Sequence, residues 1–116
     1  MSKSRKKDNK PDLDRLIHEP ARLQIISYLA AGGQNVPFRE LNEKLGLTAG
    51  NLSVQLKRLE EAGYISIIKS FKDNRPLTSV SLTLSGMEAL KEYLQELEKM
   101  IDRLKEAMPP PEQDNV

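Results

Sequence analysis

The sequence contains no cysteine, and its 116 residues include a single histidine. The absence of cysteine excludes disulfides, thiolate nucleophiles and cysteine-ligated zinc sites. No apolar run approaches the roughly 20 residues that span a bilayer, and the N-terminal region holds no apolar segment of signal-peptide type. The formal net charge is only +1, so any attraction to a polyanion has to come from where charges are placed. We therefore expect a cytoplasmic protein without membrane contact.

Groupings of residues that support catalysis are also scarce. The lone His18 stands just before Pro20, where a histidine more often caps or packs a helix than acts as a base. Gly32 and Gly33 lack the lysine and the spacing of a phosphate-binding loop, and no serine lies in an activating motif. The sequence therefore predicts a protein that is not an enzyme, and it indicates no cofactor and no metal.

The two ends of the chain differ from its middle in composition. Residues 1–11 are polar and basic and predict a disordered tail, and the prolines that begin residues 109–116 predict a second tail. Between them we expect one folded domain over residues 12–84 and a helix over residues 85–108.

Helical periodicity runs through the first half of the domain. Pro20 suits the first turn of a helix, and Thr48 is a good N-cap residue. Gly46 allows the chain to reverse sharply between two helices. The segments predicted to be helical are residues 12–17, 20–32, 38–45 and 49–62.

The apolar period then changes from 3.6 to 2. Residues 64–69 and 77–84 predict two strands, and the polar residues 72–76 predict the turn or loop that joins them. Ser85 and Glu88 have the spacing of a capping box at the start of the final helix. Two short helices with a tight link, followed by a hairpin, predict a winged helix-turn-helix. The expected fold is mainly α with a small β-hairpin: a three-helix core, a two-stranded wing and a long C-terminal dimerisation helix.

The third core helix has an apolar side made by Leu52, Leu56 and Leu59. Its opposite side is small and polar near the N-terminus and basic further along, which suits a DNA major groove. Such residues are also common on any solvated helix, but glycine weakens a helix and an outward valine gains nothing from water. The candidate DNA-binding residues of this segment are Thr48, Gly50, Asn51, Ser53, Val54, Lys57 and Arg58.

The hairpin adds Lys69, Lys72, Asn74 and Arg75 as candidate DNA-binding residues, opposed only by Asp73. An ordinary solvated hairpin explains the same charges. Together with the third helix, the basic excess is slight, so we expect moderate affinity with strong salt dependence.

The final helix carries an apolar heptad seam that starts at Met87 and repeats at spacings of three and four. Such a helix is longer than one small domain needs, which predicts a homodimer, although the seam could instead pack on its own domain. The candidate dimer-interface residues are Leu90, Leu94, Leu97, Ile101, Leu104 and Met108.

With these features the sequence resembles the MarR/ArsR-like winged-helix transcriptional regulators of prokaryotes, over about residues 13–105. The resemblance implies a homodimer built from the first and last helices, the third helix in the major groove, and Arg75 in or near the minor groove. Val54 stands where many relatives carry arginine, and the cysteine and histidine clusters of metal-sensing relatives are absent. The stretches that carry the resemblance are residues 18–26, 45–53, 56–64, 73–75 and 82–86.

We therefore expect a regulator that binds specific sequences of double-stranded DNA as a homodimer. The alternative is a winged helix that contacts another protein and binds no DNA, which such folds achieve by losing basic wing residues and exposing apolar ones. A dimer interface of this type could bind a small-molecule effector, but no residue of the sequence indicates which one. The basic tail at residues 1–11 either contacts phosphates or keeps the chain soluble.

Overall fold

A computed structural model describes residues 13–110 and contains four helices and one three-stranded antiparallel sheet. The sheet has the strand order β1-β3-β2. The helix-helix-helix-hairpin-helix order confirms the winged-helix fold. The elements are α1 (Pro20–Gly32), β1 (Val36–Pro37), α2 (Phe38–Leu45), α3 (Ala49–Glu61), β2 (Ile65–Lys72), β3 (Arg75–Leu82) and α4 (Leu84–Ala107).

Local chemistry explains where the core helices start and stop. Pro20 occupies the first turn of α1, and the Glu19 carboxylate caps that helix by accepting the Arg22 N–H at 2.9 Å. Thr48 caps α3, its Oγ1 accepting the Asn51 N–H at 3.1 Å. Gly46 follows α2 in the left-handed conformation, with φ 69°. The predicted starts at Pro20 and Thr48 and the reversal at Gly46 are confirmed.

The predicted helix over residues 12–17 is wrong for the part that the structure describes. Residues 15–17 form a turn. The Asp14 Oδ1 accepts the N–H groups of Leu16 and Ile17 at 2.9 and 3.2 Å, which favours a tight turn over a helix. The turn places Ile17 in the core, where it is fully buried.

The start of α4 also differs from the prediction at Ser85. Thr83 is the cap residue, and its Oγ1 accepts the Gly86 N–H at 3.0 Å while donating to the Gly63 carbonyl at 2.7 Å. A Cβ added at Gly86 would lie 2.2 Å from the Tyr64 carbonyl oxygen. The end of α3 and the start of α4 are therefore held against each other by contacts that only glycine at position 86 permits.

The hairpin is longer than predicted. Its strands pair down to Lys72 and Arg75, so only Asp73 and Asn74 form the turn. Both turn residues have positive φ, 52° and 62°, as a two-residue type I′ turn requires. The short strand β1 pairs with the other edge of β3, Val36 opposite Val80. The outer half of the hairpin projects into solvent as a wing.

One apolar core joins the helices to the base of the sheet. Ile25 and Ile26 of α1, Leu41 of α2 and Val80 of β3 are fully buried in it. The first half of α4 adds Leu90 and Tyr93, but every residue from Ile101 onward in the described chain is exposed. No helix among residues 13–110 combines the length and apolarity that crossing a membrane would need.

Candidate nucleic-acid interface

The two sides of α3 have opposite environments. Leu52, Leu56 and Leu59 are buried in the core, which confirms the predicted inward side. The outward side is open, and Val54 keeps 50% of its surface exposed although its side chain is apolar. The other candidate residues of this segment are also exposed, namely Thr48, Gly50, Asn51, Ser53, Lys57 and Arg58.

Gly50 lies in the first turn of α3, where helix N–H groups lack intrahelical partners. A Cβ added at Gly50 would meet no atom within 4 Å, so packing within the described chain does not require glycine there. A small residue does allow another molecule to approach the helix N-terminus closely, and that terminus favours negative charge.

The wing carries its cations on both faces. Lys72 pairs with Arg75 next to the turn, and Lys69 pairs with Thr78 three residue pairs nearer the core. Side chains alternate along a strand, so Lys69 and Lys72 lie on opposite faces of the hairpin. Asn74, the fourth residue predicted for DNA binding in the wing, lies at its tip, and all of these except Thr78 are exposed.

Two grooves of about 710 Å³ each flank the wing. The first lies between α3 and the sheet and includes Ser53, Lys57 and Lys69. The second lies between the start of α2 and the wing and includes Arg39, Lys72 and Arg75. The first groove thus brings Lys57 of the third helix beside Lys69 of the wing, whereas Lys72 and Arg75 line the second groove. Arg39 was not among the predicted residues, because its helix carries no DNA-binding pattern of its own.

Charge pairing differs between α3 and the wing. Lys57 Nζ lies 3.9 Å from Glu61 Oε2, and both side chains are mostly exposed. An exposed pair of this kind is weak and screened by salt. Within residues 13–110 no carboxylate forms a salt bridge with Lys69, Lys72 or Arg75. The wing cations are therefore available to an anionic partner. Lys57 would have to give up its salt bridge with Glu61 to bind the same partner.

A hydrogen-bond chain behind α3 was missed by the sequence reasoning. Arg22 is only 8% exposed, and its Nη1 donates to Gln55 Oε1 at 2.6 Å while its Nε donates to the Leu16 carbonyl at 2.6 Å. Gln55 Nε2 in turn donates to Asn51 Oδ1 at 3.0 Å. The chain runs from the start of α1 to the exposed face of α3. Arg22 and Gln55 are far apart in sequence, so no local pattern could reveal it.

The apolar seam of α4 divides into a covered and an open part. Leu90, predicted for the dimer interface, is 7% exposed and lies in the core of its own domain, and Leu97 is partly buried against that core. These two side chains have much of their surface covered already. The open part consists of Met87, Leu94, Ile101, Leu104 and Met108, with Leu104 and Met108 54% and 60% exposed.

Other polar groups in the described chain are used in packing. His18 Nδ1 hydrogen-bonds to the Tyr93 hydroxyl at 2.8 Å, joining the start of α1 to α4. Tyr64 donates to Asp14 Oδ2 at 2.5 Å, and burial together with this hydrogen bond raises the pKa of Tyr64 to about 12. Among residues 13–110 no group of three histidine or acidic side chains could hold a metal ion.

The fold and this open basic surface define a winged-helix domain of the DNA-binding class. A family model described as winged helix DNA-binding domain matches residues 21–101, and the chain belongs to this family. An uncharacterized protein of Methanocaldococcus jannaschii is 36% identical over 83 residues, which cover 72% of this chain and 89% of that protein.

Solved structures agree with the family. A transcriptional regulator homologue from Pyrococcus horikoshii is 36% identical with a TM-score of 0.73, covering 78% of this chain and 88% of its own. A mutant of MepR from S. aureus, bound to an oligodeoxyribonucleotide, shares the fold at 20% identity and a TM-score of 0.65, covering 83% of this chain and 72% of its own. The family of the chain and its 36% identical structural relative therefore support a DNA-binding regulator with the winged-helix fold.

Proposed function

We propose that this chain regulates transcription by binding specific sequences of duplex DNA as a homodimer, with α3 in the major groove and the wing over the backbone and minor groove. The observation that carries the proposal is the open side of α3, where Gly50 is exposed and Ser53 and Lys57 line one groove with Lys69 of the wing. A helix fits the major groove when small residues allow approach and cations neutralise phosphates. Arg75, next to the wing turn, is the candidate for the minor groove.

The homodimer part of the proposal rests on the second half of α4. All its residues from Ile101 to Ala107 are exposed, so no packing within the described chain stabilises this end of the helix. Its exposed apolar residues, Ile101 and Leu104, continue the stripe begun by Leu94. A second copy that covers this stripe would stabilise the helix. We therefore assign DNA binding to residues 12–84 and dimerisation to residues 85–108.

A two-fold dimer would present two copies of α3 to the DNA. The half-sites would then lie about one helical turn of DNA apart, or a multiple of that distance. The direct test is selection of genomic DNA fragments by the purified protein, from which we expect a palindromic motif. Protein that enriches no motif and retards no DNA at about 50 mM salt, where phosphate contacts are strong, would contradict the proposal.

Gly50→Glu gives this experiment a matched variant. The new side chain has space in the free protein, so the fold should be kept, but it places bulk and negative charge where the DNA would approach. We expect the motif to disappear. Gln95→Glu on α4 changes charge by the same amount at an exposed site away from α3, and we expect it to bind as the unaltered protein does.

A second candidate function is contact with another protein, favoured by the exposed apolar side chains of the wing. Phe71 is 74% exposed and Ile68 about half exposed. Strand alternation places them on opposite faces of the hairpin, so they do not form one patch. Phe71→Ser that abolishes co-purification of one partner, in a protein that selects no DNA, would establish this function instead. A small-molecule effector stays a prediction.

A further inference from the structure

The chain of hydrogen bonds from Arg22 to Asn51 fixes which end of the Asn51 amide faces outward. Arginine has only donors, so the Gln55 atom that meets Arg22 Nη1 at 2.6 Å must be its carbonyl oxygen. The other end of Gln55 is then its NH₂ group, which lies 3.0 Å from Asn51. Because that group donates, the Asn51 atom that meets it must be Oδ1. The orientation of both amides thus follows from the charge of one buried arginine.

The remaining end of Asn51 is its NH₂ group, on the exposed side of α3. The Asn51 backbone N–H is already bonded to Thr48 Oγ1, so the side chain is not needed to cap the helix. Among the described residues no acceptor is hydrogen-bonded to Asn51 Nδ2. Asn51 therefore presents a hydrogen-bond donor on the exposed side of α3, while its acceptor is already bonded to Gln55.

We infer that Gln55, held by Arg22, is a positioning residue that makes Asn51 recognise a hydrogen-bond acceptor on DNA. This inference rests on the proposed DNA-binding function. In the major groove guanine and thymine offer only acceptors, O6 and N7 on guanine and O4 on thymine. Adenine offers the acceptor N7 beside the donor N6, and cytosine offers only the donor N4. Asn51 should therefore prefer guanine or thymine at the base it meets and disfavour cytosine. An asparagine free to rotate could instead serve adenine with both of its ends.

Gln55→Glu tests the inference while leaving Asn51 itself unchanged. Glutamate has only acceptors when ionised, so it still accepts from Arg22 but cannot donate to Asn51. Asn51 would turn to donate its NH₂ group to the new carboxylate, leaving Oδ1 outward. In fragment selection we expect the preferred base at one position of each half-site to change from guanine or thymine to cytosine or adenine. The preference should change by about tenfold, which is the discrimination that one good base contact provides.

The added charge of glutamate could also repel DNA in general, and a double-mutant cycle separates the two effects. If Gln55→Glu acts by turning Asn51, its effect on affinity and motif should vanish when Asn51 is already alanine. A loss that depends on Asn51 but is equal for all sequences would support the inference with a phosphate oxygen as the acceptor. A loss of the same size in the Asn51→Ala background would overturn it.

The orientation of Asn51 can also be measured without DNA. In the unaltered protein the Asn51 side-chain amide protons should exchange rapidly with water in NMR spectra. In Gln55→Glu one of them should shift downfield and exchange more slowly, because it is bonded to a carboxylate. Unchanged amide signals would overturn the inference even if the protein selects DNA. If the expected amide change occurs but the protein selects no DNA, the proposed function fails and the DNA part of the inference fails with it.

Discussion

The inward and outward sides of α3 differ in whether the rest of the chain covers them. The inward leucines are sealed in the core, while the outward side keeps an exposed glycine, an exposed valine and two exposed cations. The two halves of α4 repeat the contrast along one helix, because Leu90 and Tyr93 are buried and Ile101 and Leu104 are open. Covered positions set the stability of the domain, and open positions are where partners are expected. Substitutions at matched covered and open positions test this contrast.

The largest effect is expected at the open half of α4. Replacing both Ile101 and Leu104 by glutamate should abolish the homodimer, because each apolar side chain buried at an interface contributes about 1.5–3 kcal/mol and the charges would repel across a two-fold axis. Light scattering should report monomers. Leu97 is unsuitable for this test, although it belongs to the same seam, because it is partly buried in its own domain.

Gln95→Glu is the control for the dimer test, since its place in the helical period puts it on the opposite side of α4 from Leu104. It should leave the dimer intact. A double variant at Ile101 and Leu104 that stays dimeric would show that these side chains lie outside the interface.

The next effect compares the two sides of α3 directly. Leu52→Ala should lower the free energy of unfolding by about 2–5 kcal/mol, because it leaves a cavity in a fully buried site. Val54→Ala should change it by less than about 0.5 kcal/mol, because that side chain is half exposed. Urea unfolding at fixed protein concentration measures both. Equal losses would mean that something covers the outward side of α3.

A smaller effect concerns the open wing. Arg75→Ala should weaken DNA binding by about tenfold and reduce the slope of log affinity against log salt by about 0.9 for each phosphate that Arg75 neutralises. Lys91→Ala removes another exposed cation, on α4, and should change neither quantity. The affinity measured at several salt concentrations tests the two variants. If both variants lose the same affinity and salt dependence, Arg75 makes no particular contact with DNA phosphates.

The covered side of the molecule was easier to predict from sequence than the open side. Leucine spacing, the Thr48 cap and Gly46 are local signals, and they gave α2 and α3 correctly. The wing turn was predicted in the right place but too long, because Asp73 and Asn74 form a type I′ turn without the glycine that usually marks one. The cap of α4 at Thr83 was missed because a contact with the distant Gly63 selects it over Ser85.

The same distinction holds within the candidate site. The exposed polar residues of α3 could be predicted from helical periodicity alone, because the spacing of residues along a helix does not depend on contacts with distant parts of the chain. The orientation of the Asn51 amide could not be predicted in this way, because it depends on Arg22, which the chain brings to Gln55 only after folding. Leu90 was predicted for the interface because a heptad seam does not say where a domain stops covering it.

The smallest effect lies at the boundary between the covered and open sides, where Tyr64 donates to Asp14. Tyr64→Phe should cost about 0.5–1.5 kcal/mol of stability at neutral pH, the net contribution of one hydrogen bond. Folding raises the pKa of this phenol from 10.0 to about 12. Below pH 10 the phenol is neutral in both states, so its contribution is complete. Between pH 10 and about 12 the unfolded chain ionises first, so the contribution is lost as the pH rises.

Unfolding of the unaltered protein and of Tyr64→Phe, measured from pH 7 to about 12, therefore tests the contact. Their stability difference should be constant below pH 10 and shrink above it. Tyr28→Phe is the matched control, because the Tyr28 hydroxyl also donates to a carboxylate, that of Glu40, but this hydrogen bond rather than burial is the main cause of its raised pKa. Its destabilisation should be the smaller one. If the stability difference between the unaltered protein and Tyr64→Phe does not vary with pH, packing of the ring stabilises this contact, and the hydrogen bond from the hydroxyl to Asp14 does not.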